Sequence, residues 1–152
     1  MFSQHRRPNR LEIDSGSVTG RVAELRRRVG SRVKIFAALK ADGYGFGTLP
    51  MARAALAGGA DALSLIDRAE AIALREAGID APILLYAGAP IDADAVAAAE
   101  TFRLILTVLT ARQIDVAPRA HAGRACHQAG GWPGTDRRVA RAADRHGRSH
   151  RA

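Results

Sequence analysis

The sequence predicts an α/β fold of about four strand–helix units, and three observations carry that expectation. Runs rich in Val, Ile and Leu recur about every 20 residues, with alanine-rich helical stretches between them. One run, Val33 to Leu39, is apolar on both faces, as strands of helix-covered parallel sheets are. Glycine, proline or a capping residue stands at each joint.

Residues 1–10 are polar, basic and broken by proline, and are expected to be disordered. Leu11-Glu12-Ile13-Asp14 alternates like a short strand. Asp14, Ser15 and Ser17 then offer caps for a helix whose Val18, Val22, Leu25 and Val29 fall on one face, with Gly30 as its stop. Arg26, Arg27 and Arg28 lie in its last turn, where a solvated face near the helix C-terminus suits them better than a phosphate site does.

In the next strand Lys40 shares the parity of Phe36 and Ala38, so it projects at the C-terminal end. In barrels and open α/β sheets ligands gather at that end. Gly43, Gly45 and Gly47 then alternate with Tyr44 and Phe46, allowing positive φ and close backbone approach to a bound group. Thr48 can cap a helix over Leu49 to Leu56, whose N-terminus favours an anion. On pattern alone, a surface lysine before an ordinary turn is the alternative.

Gly58-Gly59 ends that helix and Asp61 to Ile66 reads as the second strand. Asp67 and Glu70 have capping-box spacing for a helix through Ala77, which Gly78 stops. Pro82 introduces a third strand, Ile83 to Tyr86, closed by the turn Gly88-Ala89-Pro90. Asp92 or Asp94 caps a helix to Glu100, Phe102 to Leu109 forms a fourth strand, and a short helix over Ala111 to Val116 precedes Pro118.

The segment Ala38-Leu39-Lys40-Ala41-Asp42-Gly43-Tyr44-Gly45-Phe46-Gly47 resembles the signature of the alanine racemases, and Leu74 to Leu85 is a secondary match. Ala38 stands where valine is common and Phe46 where histidine is common, and neither change removes a reacting group. The resemblance implies a partial TIM-type (β/α)8 barrel over residues 11–118. It also implies pyridoxal 5′-phosphate as cofactor, held covalently by Lys40 with Tyr44 at its phosphate. Tyr86 falls at a position that lines the pocket in the family, or is a rim aromatic without a ligand.

By the same resemblance the substrate is alanine, the assembly a homodimer and the product D-alanine. Lys40 is one of two bases. The second, a tyrosine of a C-terminal domain of the partner subunit, has no counterpart in this chain, nor has the arginine that pairs with the pyridine nitrogen. Racemisation by these 152 residues alone is therefore not expected, and a catalytically inactive remnant is the alternative reading.

Length fits the same picture, since 152 residues fall short of the roughly 250 of a whole barrel of this kind. The formal charge of +8 is placed outside the domain: residues 1–10 carry +3, 11–118 carry −1 and 119–152 carry +6. A basic nucleic-acid-binding protein therefore rests on charge alone, and specific nucleic-acid recognition is not expected. One cysteine, Cys126, precludes an internal disulfide, and no apolar run approaches the roughly 20 residues of a membrane span. Cytoplasmic location is the expectation.

Residues 119–152 change character, with Arg, Ala, Gly and His supplying 25 of 34 positions. They are expected to add no further core strand. Cys126 and His127 with His121, His146 and His150 lack metal-ligand spacing, and no metal is expected. The composition suits a disordered tail, or a GC-rich gene translated out of frame. Translation of the neighbouring frames past the Pro118 codon is the check: further β–α units in one of them are expected, and their absence from both would rule out the frame-shift reading.

Overall fold

A computed structural model of the chain describes residues 12–86, 91–110, 113 and 126–127. The expected disorder of residues 1–10, the turn at residues 88–90, nearly all of the helix at 111–116 and most of 119–152 lie outside the described residues. The elements are α1 (Ser15–Val29), β1 (Phe36–Ala38), α2 (Lys40–Tyr44), α3 (Thr48–Ala57), β2 (Ala62–Leu65), α4 (Arg68–Glu76), β3 (Ile83–Leu85), α5 (Ala93–Phe102), β4 (Leu104–Val108) and β5 (Cys126–His127).

The five strands are parallel and ordered β1-β2-β3-β4-β5, as in the chain. A doubly wound sheet reverses its strand order at a switch point. This one does not, so the described sheet is an arc of a singly wound (β/α) barrel. Beyond Pro118, where no further core strand is expected, the two-residue β5 pairs Cys126 and His127 with Thr107 and Val108.

Register decides which side chains meet the helices. Leu63, Ile83 and Leu104 form one row and Leu65, Leu85 and Leu106 the next. Both rows pack with Met51 and Ala52 of α3, Ala71 and Leu74 of α4, and Val96 and Ala99 of α5. Alanines on the helices let backbones approach while leucines fill the sheet side. The opposite face is mostly open. Ser64, Leu84 and Ile105 are half-buried there, while Phe36, 48% accessible, and Ala38 are exposed. The expectation that β1 is covered on both faces is thus corrected: only the helix side is packed, and the open side is the one a closed barrel fills with its own side chains.

No strand forms at residues 12–14. Asp14 instead caps α1, accepting the N–H groups of Gly16 and Ser17 at 2.9 and 3.2 Å, a local bond that competes with extension. Asp67 and Asp92 likewise cap α4 and α5. α1 packs along α3, and Gly58, which caps α3, lies so close to α1 that a Cβ there would stand 2.6 Å from the Thr19 carbonyl oxygen.

Two arginines tie the loops at the N-terminal ends of the strands. Arg26 does not belong to a solvated face as its neighbours do. Its guanidinium donates to the carbonyls of Gly30, Val33 and Gly59 and pairs with Asp61, whereas Arg27 and Arg28 pair with Glu24. Arg75 donates to the carbonyls of Ile79, Ala81, Phe102 and Arg103, joining α4 to the loops before β3 and β4. Its burial lowers its pKa somewhat from the ordinary arginine value.

Asp61 gathers the first of these clusters. The Ile35 N–H donates to it at 2.8 Å and the Lys34 ammonium at 2.9 Å, and together with Arg26 they hold its pKa at about 2, below the usual 3.8. A depressed carboxylate stabilises the fold above its unfolded pKa, and that contribution is lost as pH falls from about 4 through 2. Asp61→Asn should therefore melt at a lower temperature than wild type at pH 7, with the difference narrowing toward about pH 2.5. Melting curves followed by circular dichroism across that range check this, and a gap independent of pH contradicts it.

Candidate active site

β1 ends at Ala38, and Leu39 is still tied to the sheet by its N–H, which donates to the Ser64 carbonyl at 2.9 Å. Lys40 follows, exposed, at the C-terminal end of the strand as its parity predicts. What comes next departs from a glycine-hinged loop. Ala41, Asp42, Gly43 and Tyr44 all have φ between 51° and 59°, so α2 is a turn of left-handed helix. It is closed by the Gly43 N–H to the Leu39 carbonyl at 3.2 Å and the Gly45 N–H to the Ala41 carbonyl at 2.9 Å.

Lys40 opens this turn and Tyr44 closes it. Tyr44 is 56% accessible, and the exposed Phe46 follows it.

Side chains from two neighbouring helices hold the turn. The Asp42 carboxylate accepts the Thr48 N–H at 2.9 Å and, at 3.3 Å, the Thr48 hydroxyl. Thr48 is thus the first residue of α3 rather than its cap, and the helix N-terminus already faces a carboxylate. The expectation that this N-terminus favours an anionic ligand is corrected on that ground. From the other side, Glu70 Oε1 accepts the Asp42 N–H at 2.9 Å. Gly43 is buried at the centre, and a Cβ there would stand 3.1 Å from Met51 Cγ and 3.3 Å from the Thr48 backbone. Glycine fits this space without Met51 or the Thr48 backbone having to give.

Glu70 was legible only as a capping residue. Asp67 does accept the N–H groups of Ala69 and Glu70, at 2.6 and 3.4 Å, but the Glu70 carboxylate reaches across to Asp42. Tyr86 follows β3, half-buried, with its N–H donating to the Leu65 carbonyl at 2.7 Å. On β4, in the open-face row, the buried Thr107 hydroxyl has no hydrogen-bond partner among the described residues. A shallow groove of about 560 Å³ on α1, lined by Ser17, Arg21, Glu24 and Arg28 among others, includes none of the turn residues. Among the described residues no helix is long and apolar enough to cross a membrane.

Comparison with known proteins converges on one family. The family model described as "Alanine racemase, N-terminal domain" matches residues 13–129, running past Pro118, where the resemblance read from the sequence stops. The chain is 42% identical over 123 residues to alanine racemase of Beutenbergia cavernae, covering 75% of this chain and 32% of that one. It is 40% identical over 112 residues to the Geobacillus stearothermophilus enzyme, covering 74% and 28%. Among solved structures, alanine racemase from E. faecalis superposes with a TM-score of 0.70 at 35% identity, over 79% of this chain and 32% of that one. The Bacillus anthracis racemase, solved with bound L-Ala-P, gives 0.69 at 28% identity over 88% and 36%. The chain spans about a third of the length of such relatives.

Proposed function

Since the chain belongs to the alanine racemase family, matched over its N-terminal domain, we propose that it serves the pyridoxal 5′-phosphate-dependent interconversion of L- and D-alanine, a cytoplasmic step that supplies D-alanine. One observation supports this most: β1 of the open-faced parallel sheet runs into an exposed lysine, and a left-handed turn follows that ends in an exposed tyrosine four residues on.

The residues present fit part of the cofactor. Lys40 offers an accessible amine for its aldehyde and Tyr44 a phenol hydroxyl for its phosphate. Phe36 and Ala38 offer exposed apolar surface on β1, the strand that precedes Lys40. The α3 N-terminus is not part of that fit, because Asp42 occupies it. When bound, the cofactor draws electrons from the substrate Cα and so acidifies its C–H bond. Lys40 does two things in this account: it holds the cofactor between turnovers and, once released and deprotonated, moves a proton at its Nζ on one face of the substrate.

Proton transfer on the opposite face needs a second base. The only tyrosines of the chain are Tyr44, assigned to phosphate, and Tyr86. By resemblance to the alanine racemases Tyr86 lines the pocket and the second base is a tyrosine of a dimeric partner's C-terminal domain, so we assign this chain one side of the reaction.

The sequence supplies its own control, because Lys34 and Lys40 are its only lysines and Lys34 is engaged by Asp61 at 2.9 Å. Borohydride reduction of the chain mixed with pyridoxal phosphate, followed by peptide mass spectrometry, should place the label mainly on Lys40. Lys40→Ala should remove most of it, and the chain alone should form no D-alanine from L-alanine at enzyme-like rates. Equal labelling of Lys34 and Lys40 would contradict the assignment of Lys40, and rapid D-alanine formation would contradict the assignment of a single side.

A further inference from the structure

We infer that Glu70 is a positioning residue, fixing the left-handed turn that presents Lys40 and Tyr44. The inference rests on the role proposed for Lys40, but the geometry that carries it does not.

Glu70 occupies the third position of α4, where its capping-box partner would be the Asp67 backbone N–H. It is diverted instead to the N–H of Asp42, 28 residues earlier, at 2.9 Å. Asp42 has a φ of 51° and lies two residues beyond Lys40. A bond from a charged acceptor is among the stronger hydrogen bonds available to a backbone N–H. Here it is applied at the centre of the strained segment, between Lys40, which opens the turn, and Tyr44, which closes it.

A second observation separates this from ordinary capping. The other carboxylate oxygen, Oε2, is buried with no hydrogen-bond partner among the described residues. A helix cap at the surface leaves its oxygens to water, and burial of an unpartnered one is a cost that needs an offsetting role. Asp42 completes the clamp by accepting the Thr48 N–H with its own carboxylate. The turn is thus gripped from the first turns of α3 and α4 at once, and Glu70 is the grip supplied from outside the loop.

Amide hydrogen exchange and borohydride labelling of the whole 152-residue chain test this. Glu70→Ala should speed exchange of the Asp42 amide about ten-fold or more while the β2 amides of Leu63 and Leu65 keep their protection, and should lower pyridoxal phosphate labelling of Lys40 several-fold. Glu70→Gln, which keeps a carbonyl acceptor at the same reach, should restore both toward wild type. Unchanged Asp42 exchange in Glu70→Ala overturns the inference. If Glu70→Ala also exposes β2, Glu70→Asp decides: one methylene shorter, it should expose Asp42 selectively, and Asp42 protection equal to that of Glu70→Gln overturns the inference. Absence of labelling on the wild-type chain would remove the proposed role of Lys40, while the exchange ratio still decides whether Glu70 holds the turn.

Discussion

Everything proposed for this chain depends on a left-handed turn built mostly from residues that disfavour it. Ala41, Asp42 and Tyr44 carry side chains, and each left-handed residue of that kind costs about 1–2 kcal/mol. The turn's own hydrogen bonds would form as well in a right-handed helix, so they do not select its hand. What selects it comes from outside: Glu70 on the Asp42 N–H, the Asp42 carboxylate on α3, and the tight space around Gly43. Strain of this sort persists only where surrounding structure over-determines it, and it gathers at functional sites. Here it lies in the five residues that run from Lys40 to Tyr44.

The two ends of the sheet divide their tasks accordingly. At the N-terminal end, Arg26 and Arg75 each bind several backbone carbonyls of the loops leading into the strands, and Asp61 draws Arg26, Lys34 and the start of β1 together. These bonds satisfy loop carbonyls that no strand pairs. At the C-terminal end the carboxylates of Glu70 and Asp42 hold a single turn, and exposed side chains stand beside it. This is the division known for β/α barrels, with stability at one face and chemistry at the other.

Much of this was legible in the sequence because it is local. The strand–helix rhythm, the caps at Asp14, Asp67 and Asp92, the stop at Gly30 and the place of Lys40 after β1 all follow from neighbours within a few residues. The family was legible from the residues around Lys40. Illegible features depend on distant partners. Nothing near Ala41 or Asp42 announces positive φ, since the bond that holds it comes from Glu70. The Glu70 side chain looked like half of a capping box until the fold offered it a better donor. Leu11 to Asp14 alternated like a strand, yet Asp14 is used as a cap. The two-sided apolar pattern of β1 was read as two-sided burial, but pattern shows what a face could bury and not what covers it.

The central claim, that a left-handed turn held from outside links Lys40 to Tyr44, is tested most directly by the backbone torsions of Ala41, Asp42 and Tyr44 in solution. Cross-correlated relaxation in an isotope-labelled sample of the full chain measures φ at each. Positive values near 55° at all three are predicted. Negative φ at Asp42, or averaging between the two hands, would contradict the account at its root.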